Sequence, residues 1–279
     1  MKFDLRETAR DHIVTVAHRG VTGGNIPCNT MAAYEIALKQ GADMIEIDVD
    51  CSSDGELVIF HPRMELAHLN FPGGDIEKMT WEEISRLRFV NCDNAPTQFG
   101  LLKLDELLEA FKGRCYINVE KFWGNPQAIY KAIKRHDMVD QVLVKSGLSG
   151  NVLDVLEEVA PELPFMPVVL DAFPQHEELL RRSINYVGAE VLFRRDDNVL
   201  ASEAFIEDMH RQDKLVWLNS IVYDYKVVIS GGHTDDCALT ESEDRGWGWI
   251  ADRGFDIIQT DWPMMLIDYL KRTGKYYRK

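Results

Sequence analysis

No stretch of the 279-residue chain approaches the roughly 18 consecutive apolar residues of a bilayer-spanning helix, so no transmembrane segment is expected. The first dozen residues lack apolar character too. Lys2, Asp4, Arg6, Glu7, Arg10 and Asp11 leave no room for the hydrophobic run of a secretory leader, and a cytoplasmic location is expected. Cysteine is sparse: five residues, an odd number, none in C-x-x-C spacing, which argues against a disulfide scaffold and for a reducing compartment. Positive charge is the third deficit. Against 46 acidic residues stand 31 basic ones, a net charge of −15 that argues against nucleic acid or an anionic membrane as the main partner. Any phosphate handled by such a chain must be held locally, by a few cations or a metal ion. No low-complexity linker or break in composition divides the sequence, and residues 1–279 read as a single domain.

What is present is an alternation of strand-like and helix-like segments. Strand candidates lie at 13–17, 44–49, 116–120, 141–146, 165–170, 190–193, 215–219 and 256–260, with a return strand at 57–61 after the turn signal Asp54-Gly55. Helical spacing marks 31–40, where Asn29 or Thr30 can cap and Gly41 can stop the helix. It also marks 80–88, opened by a Thr80/Glu83 capping box, and 104–111, 126–136, 149–158, 175–182, 202–212 and 243–253. Eight main strands alternating with helices predict a (β/α)8 barrel with a β-hairpin excursion after the second strand, for which about 250 residues suffice. The stretches 62–100 and 223–242 are irregular and too long for ordinary connections, so they are expected to be functional loops.

In a barrel of this kind, chemistry gathers at the C-terminal strand ends. Those ends carry His18 and Arg19, Glu46 and Asp48, His61, Glu120, Lys145 and Asp261. Glu46 and Asp48 are two residues apart on a strand and so share a face; two carboxylates facing a barrel interior need a cation. With Glu120 as third ligand they form an oxygen-only set suited to one divalent cation, Mg²⁺ or Ca²⁺. The bland alternative is a half-exposed strand with its polar face in water. The unperturbed pKa of histidine lies near neutrality, which suits His18 and His61 to general acid and base work at phosphorus. His12, His68, His136, His176 and His210 read as structural or surface residues. The guanidinium of Arg19 can hold phosphate oxygens, or form an ordinary ion pair with a nearby carboxylate.

Several segments are more specific: A-H-R-G at 17–20, P-C-N-T at 27–30, G-A-D-M-I-E-I-D-V at 41–49, D-G-E-L-V-I-F-H at 54–61 and T-W-E-E-I at 80–84. With I-N-V-E at 117–120, V-W-L-N at 216–219 and G-F-D-I-I-Q-T-D-W-P at 254–263, they resemble the glycerophosphodiester phosphodiesterase family. The resemblance implies a (β/α)8 barrel, one catalytic divalent cation, and hydrolysis of a small-molecule glycerophosphodiester to glycerol 3-phosphate and an alcohol. It makes His18 and His61 the acid/base pair, Glu46, Asp48 and Glu120 the metal ligands, and Arg19 a phosphate contact.

The sequence also departs from that pattern. Cys28 replaces the Glu of P-E-N-T, Pro62 follows His61 where the family has Asp, and Phe122 occupies the Lys slot of E-x-K. Lys145, on the neighbouring strand, is the expected replacement cation; Lys121, next in sequence to Glu120, is expected to face away. Trp123 and Trp262 can wall the pocket or simply pack. Residues 231–236 are a solvated loop, a lid or a second cation site. Two further readings remain open at this level. One is a phosphodiesterase or cyclising phospholipase D-like enzyme acting on a sugar or lysolipid phosphodiester; the other is a non-catalytic phosphodiester-binding barrel.

Overall fold

The computed structural model describes residues 3–222, 224 and 226–278. Lys2 of the charged N-terminal stretch and residues 223 and 225 of the second irregular stretch lie outside the described residues. Among the described residues there are ten strands: β1 (Val14–Ala17), β2 (Met44–Cys51), β3 (Leu57–Ile59), β4 (Leu102–Lys103), β5 (Tyr116–Glu120), β6 (Val142–Ser146), β7 (Phe165–Leu170), β8 (Gly188–Leu192), β9 (Leu215–Asn219) and β10 (Ile257–Thr260). Eight of them pair in parallel in the order β1-β10-β9-β8-β7-β6-β5-β2, and β1 pairs with β2 to close the ring. Helices connect the strands, giving the (β/α)8 barrel. The excursion is real: β3 runs antiparallel to β2, and the two-residue β4 antiparallel to β3.

Strand alternation divides the barrel's side chains into two sets. Ile45, Ile47, Ile117 and Val119 point outward into the large core shared with the helices. Val14, Val16, Met44, Tyr116, Leu143, Met166, Trp217 and Ile257 form a separate cluster that fills the barrel interior. Further along the same inward rows stand Glu46, Asn118, Lys145, Glu190, Asn219 and Gln259, all buried and polar. The interior is therefore apolar at its N-terminal end and polar at its C-terminal end, and this gradient positions the site.

Among the described residues four α-helices were not anticipated from sequence: the short Glu65–Leu69 and Asp235–Thr240, and two at the ends of the chain. Leu5–Asp11, capped by Asp4, lays Leu5 and Ala9 across the apolar end of the barrel, so the charged N-terminal stretch is a plug with a polar outer face. Pro263–Arg272 supplies the last helix of the ring and opens on proline, which suits a first helical turn. The irregular stretch 62–100 encloses its own small core of Val58, Phe60, Leu69, Ile76, Ile84, Phe89 and Leu101. Its helix is shorter than expected, Trp81–Ile84, though the Thr80/Glu83 capping box forms. Among the described residues no helix is long and apolar enough to cross a membrane.

Candidate active site

The polar end of the barrel opens into a cavity of about 590 Å³ bordered by His18, Arg19, Glu46, Asp48, His61, Glu120, Lys121 and Lys145. The strand ends and the β3 hairpin thus bring every sequence-derived acid, base, ligand and phosphate candidate to one place. The chain turns sharply after β1: Arg19 has φ 55° and Gly20 φ 80°. A Cβ on Gly20 would lie 2.7 Å from the Ala33 carbonyl carbon, so only glycine fits where this turn meets the next helix. The turn aims the Arg19 backbone N–H at Glu46, donating to its Oε2 at 2.8 Å.

Asp48 is almost fully buried and is the centre of the cluster. Its Oδ2 accepts from Asn29 Nδ2 at 3.0 Å, and Arg19 Nε lies 3.0 Å from the same oxygen. Arg19 Nε nevertheless has no aligned hydrogen-bond partner, so the contact is an ion pair; the alternative role for Arg19 is present in this structure. Asp48 Oδ1 has His61 Nε2 at 4.0 Å and Lys121 Nζ at 3.9 Å, yet it accepts no hydrogen bond. Glu46, buried beside it, has its pKa pushed up to about 7 by burial and by the negative charge of Asp48. Glu120 pairs in register with Asp48 across β2 and β5. It accepts from Asn118 Nδ2 at 3.0 Å and lies 3.2 Å from Lys145 Nζ. Burial opposes ionisation of Glu120, but Lys145, Asn118 and Lys121 outweigh it and lower the pKa.

The two histidines have different surroundings. His18 Nδ1 is 2.9 Å from Asp261 Oδ1. Burial disfavours its charge, but the Asp261 hydrogen bond and Glu46 win, and its pKa is raised. His61 Nδ1 donates to the Pro62 carbonyl at 3.0 Å, which leaves Nε2 as the unprotonated nitrogen of the neutral ring. Burial, with Arg19 and Lys121 close by, lowers the His61 pKa despite Asp48.

The lysines correct the sequence reading. Lys121 does not face away: the strand ends at Glu120, and Lys121 takes φ 62°, which breaks strand alternation and turns its ammonium towards Asp48. Phe122 then enters the core. Lys145 does reach the same rim, but its ammonium is buried, hydrogen-bonded to Glu190, paired with Glu120 and 3.9 Å from the Trp217 ring centre.

The tryptophans part company. Trp123 borders a groove of about 1050 Å³ beside the cavity and donates to the Lys145 carbonyl at 2.9 Å. Trp262 is 48% exposed and borders neither opening, so it forms no wall, because the turn after Asp261 carries it outside the rim. Residues 231–236 are not wholly solvated either. Thr234 caps a short helix, Asp235–Thr240, and Asp235 is buried. Its Oδ1 accepts from Ser220 Oγ, Trp247 Nε1 and Thr260 Oγ1, and its Oδ2 from the Asp261 backbone N–H, at 2.7–2.8 Å. Asp235 thereby fixes the residue that holds His18.

Among the described residues no three histidine, cysteine or carboxylate side chains are already drawn together as a cation cluster. Arg19, Lys121 and Lys145 stand among the carboxylates and neutralise them. The donor set still suits a hard cation: oxygen donors on adjacent strands, with the buried Asp48 Oδ1 lacking a hydrogen bond.

A glycerophosphodiester phosphodiesterase of Bacillus altitudinis is 31% identical over 177 residues, spanning 59% of this chain and 70% of that protein. The chain belongs to the glycerophosphodiester phosphodiesterase family. A member from Caldanaerobacter subterraneus subsp. tengcongensis is 30% identical over 164 residues, 54% of this chain and 64% of that protein. A crystal structure of a Parabacteroides distasonis glycerophosphoryl diester phosphodiesterase superposes with a TM-score of 0.78 at 19% identity, covering 95% of this chain and 88% of that one. An Oleispira antarctica phosphodiesterase in complex with the product sn-glycerol-3-phosphate gives 0.66 at 20%, covering 93% and 97%. These two likenesses are of fold. A family model described as a domain of unknown function matches residues 165–270, the second half of the barrel.

Within this family the departures now have a structural meaning. Cys28, in place of the family's Glu, lies 3.4 Å from His68 Nδ1, and burial pushes its thiol up to about 12. The site therefore has a neutral group where a carboxylate is usual. Sequence reasoning missed Asn29, although it lies in the P-C-N-T motif; its φ of 56° and its bonds to Asp48 and Tyr34 make it the brace of the carboxylate cluster. It placed Asp235 only within the 231–236 run, as loop, lid or cation site, and it missed Glu190, because each acts through a partner far away in the chain.

Proposed function

We propose that this chain hydrolyses glycerophosphodiesters to glycerol 3-phosphate and an alcohol, using one divalent cation, Mg²⁺ or Ca²⁺. The observation that carries this reading is the convergence of two differently held histidines on two buried carboxylates, Glu46 and Asp48, and the partly buried Glu120 in a single cavity. Glu46, Asp48 and Glu120 would hold the cation, which when bound offsets phosphoryl charge and orients the oxygens. His61, with Nδ1 fixed on the Pro62 carbonyl, presents Nε2 to take a proton from the attacking water. Water oxygen bonds to phosphorus and the bond to the alcohol oxygen breaks. His18, supported as an imidazolium by Asp261, gives its proton to that departing oxygen. Arg19 and Lys121 border the cavity on the Asp48 side and neutralise the phosphodiester anion. Lys145 keeps Glu120 and Glu190 paired inside the barrel.

Turnover of glycerophosphocholine and glycerophosphoethanolamine with Mg²⁺ or Ca²⁺, followed by phosphorus NMR, tests the reading. Glycerol 3-phosphate is expected. A cyclic phosphate would replace hydrolysis by internal transfer, and no turnover of any phosphodiester would leave a binding barrel.

The lysine assignment has its own test. Lys121→Met is expected to lower kcat/KM about 10–100-fold, the loss of one charge-assisted contact of roughly 1.5–3 kcal/mol. Lys145→Met would instead leave Glu120 and Glu190 without their cation in the interior, a destabilisation of about 3–5 kcal/mol visible as a lower Tm. If Lys145→Met costs only kcat/KM and Lys121→Met costs nothing, the two roles are reversed.

A further inference from the structure

The far end of the barrel has an opening of its own. Beside the plug helix, at the N-terminal ends of the strands, lies a depression of about 450 Å³. Four cations border it, Arg6, Arg10, Lys214 and Arg278, against two carboxylates, Asp213 and Asp256. Three distant parts of the chain supply the cations: the plug helix, the residue before β9 and the C-terminal segment. In a chain of net charge −15 this is a local excess of positive charge. Like charges gathered by folding repel one another, so the cluster costs stability unless an anion compensates it.

Both carboxylates are already engaged. Asp213 Oδ1 accepts from Arg10 at 2.6 Å, and its Oδ2 lies 3.4 Å from Arg6 Nε. Asp256 Oδ2 accepts from the Val216 backbone N–H at 2.7 Å and lies 2.8 Å from His210 Nε2. Its Oδ1 is 3.3 Å from Arg278. Lys214 is left over: among the described residues its ammonium forms no ion pair, and it donates to the Tyr186 carbonyl at 3.0 Å. Arg6 Nη2 donates to the same oxygen at 3.2 Å. Two cations therefore share one neutral acceptor, which offsets neither charge. Burial, then Arg6, hold the Lys214 pKa below the ordinary lysine value, although Asp213 acts in the opposite direction. Capping a carbonyl is a sufficient role for Arg278, which donates to Phe255. It does not require two cations on Tyr186.

We infer that this depression is a binding site for a phosphate dianion, either inorganic phosphate or a phosphomonoester, held by Lys214, Arg6 and Arg10. Four cations against two carboxylates leave an excess that matches the charge of a phosphomonoester near neutral pH, about −1.5 to −2. Guanidinium forks and an ammonium suit its several oxygens through charge-assisted hydrogen bonds. The site is separate from the catalytic cavity, which opens at the other end of the strands.

Isothermal titration of the full chain with inorganic phosphate and with glycerol 3-phosphate, in chelator and at low ionic strength, tests this. One equivalent is expected to bind in a way that Lys121→Met does not change. Lys214→Gln should weaken that binding about 10–100-fold, the loss of one charge-assisted contact. Arg10→Glu, a charge reversal at an exposed position that the fold tolerates, should abolish it. Tighter binding of glycerol 3-phosphate would make an ester the ligand, and binding of inorganic phosphate at least as tight would make it the free ion. No binding of either anion overturns the inference, as does binding left intact by Arg10→Glu or by a folded Lys214→Gln. Loss of binding in Lys121→Met overturns it too, because the phosphate would then sit in the catalytic cavity.

Discussion

Alanine at His18 or at His61 is expected to lower kcat by about 10²–10⁴, the usual contribution of one positioned acid or base. Tm should change little, because both rings sit at the cavity and the barrel is held by apolar layers below and around them. Asp261→Asn should reproduce part of the His18 loss, since an amide at 2.9 Å from Nδ1 supports the imidazolium less well than a carboxylate. Single-turnover rates with a chromogenic phosphodiester, measured beside thermal melts, provide the check. Near wild-type kcat in either alanine variant would end the role given to that histidine. Unfolding of both would make them structural residues.

Removal of divalent cations by a chelator is expected to abolish turnover, and Mg²⁺ or Ca²⁺ to restore it. The reason lies in the charges. Glu46 and Asp48 are buried side by side, Glu120 is in register with Asp48, and Asp48 Oδ1 has no hydrogen bond. A cation bound only by the folded chain should also raise Tm with its concentration, by about 2.7 kcal/mol of stability at a hundredfold excess over Kd. In the Glu46→Gln, Asp48→Asn double variant that rise should vanish together with activity. Full activity of this variant in chelator would remove the cation from the site, and a Tm rise that persisted in it would place the cation elsewhere.

Much of the architecture was legible because it rests on local signals. The spans Leu104–Phe111, Tyr116–Glu120, Phe165–Leu170 and Leu215–Asn219 agree with the sequence reading to the residue, since each is bounded by turn residues or by a change of hydrophobic period. Helix 149–158 starts later, at Val152, and helix 175–182 shrinks to His176–Leu179. Neither has a side-chain cap to fix its start. The plug helix was obscured because its apolar face is only Leu5 and Ala9, too few to show a period among six charged or polar neighbours.

The site divides along the same line. By itself the sequence determined that His18, Glu46, Asp48, His61 and Glu120 belong together, because two-residue alternation and the strand-end rule act over a few positions. Tertiary structure alone decided which lysine turns its ammonium towards Asp48, which is held inside the barrel, and what lines the opposite side of the cavity. One positive φ at Lys121 reversed the direction assigned by alternation, and a salt bridge from Lys145 to Glu190, 45 residues away, engaged the lysine that sequence favoured. Asp235 reaches Asp261 across 26 residues, and Leu170 meets Val227 in one cavity only because the ring of strands closes. Contacts of that kind depend on where the chain returns in space, and no local pattern encodes them.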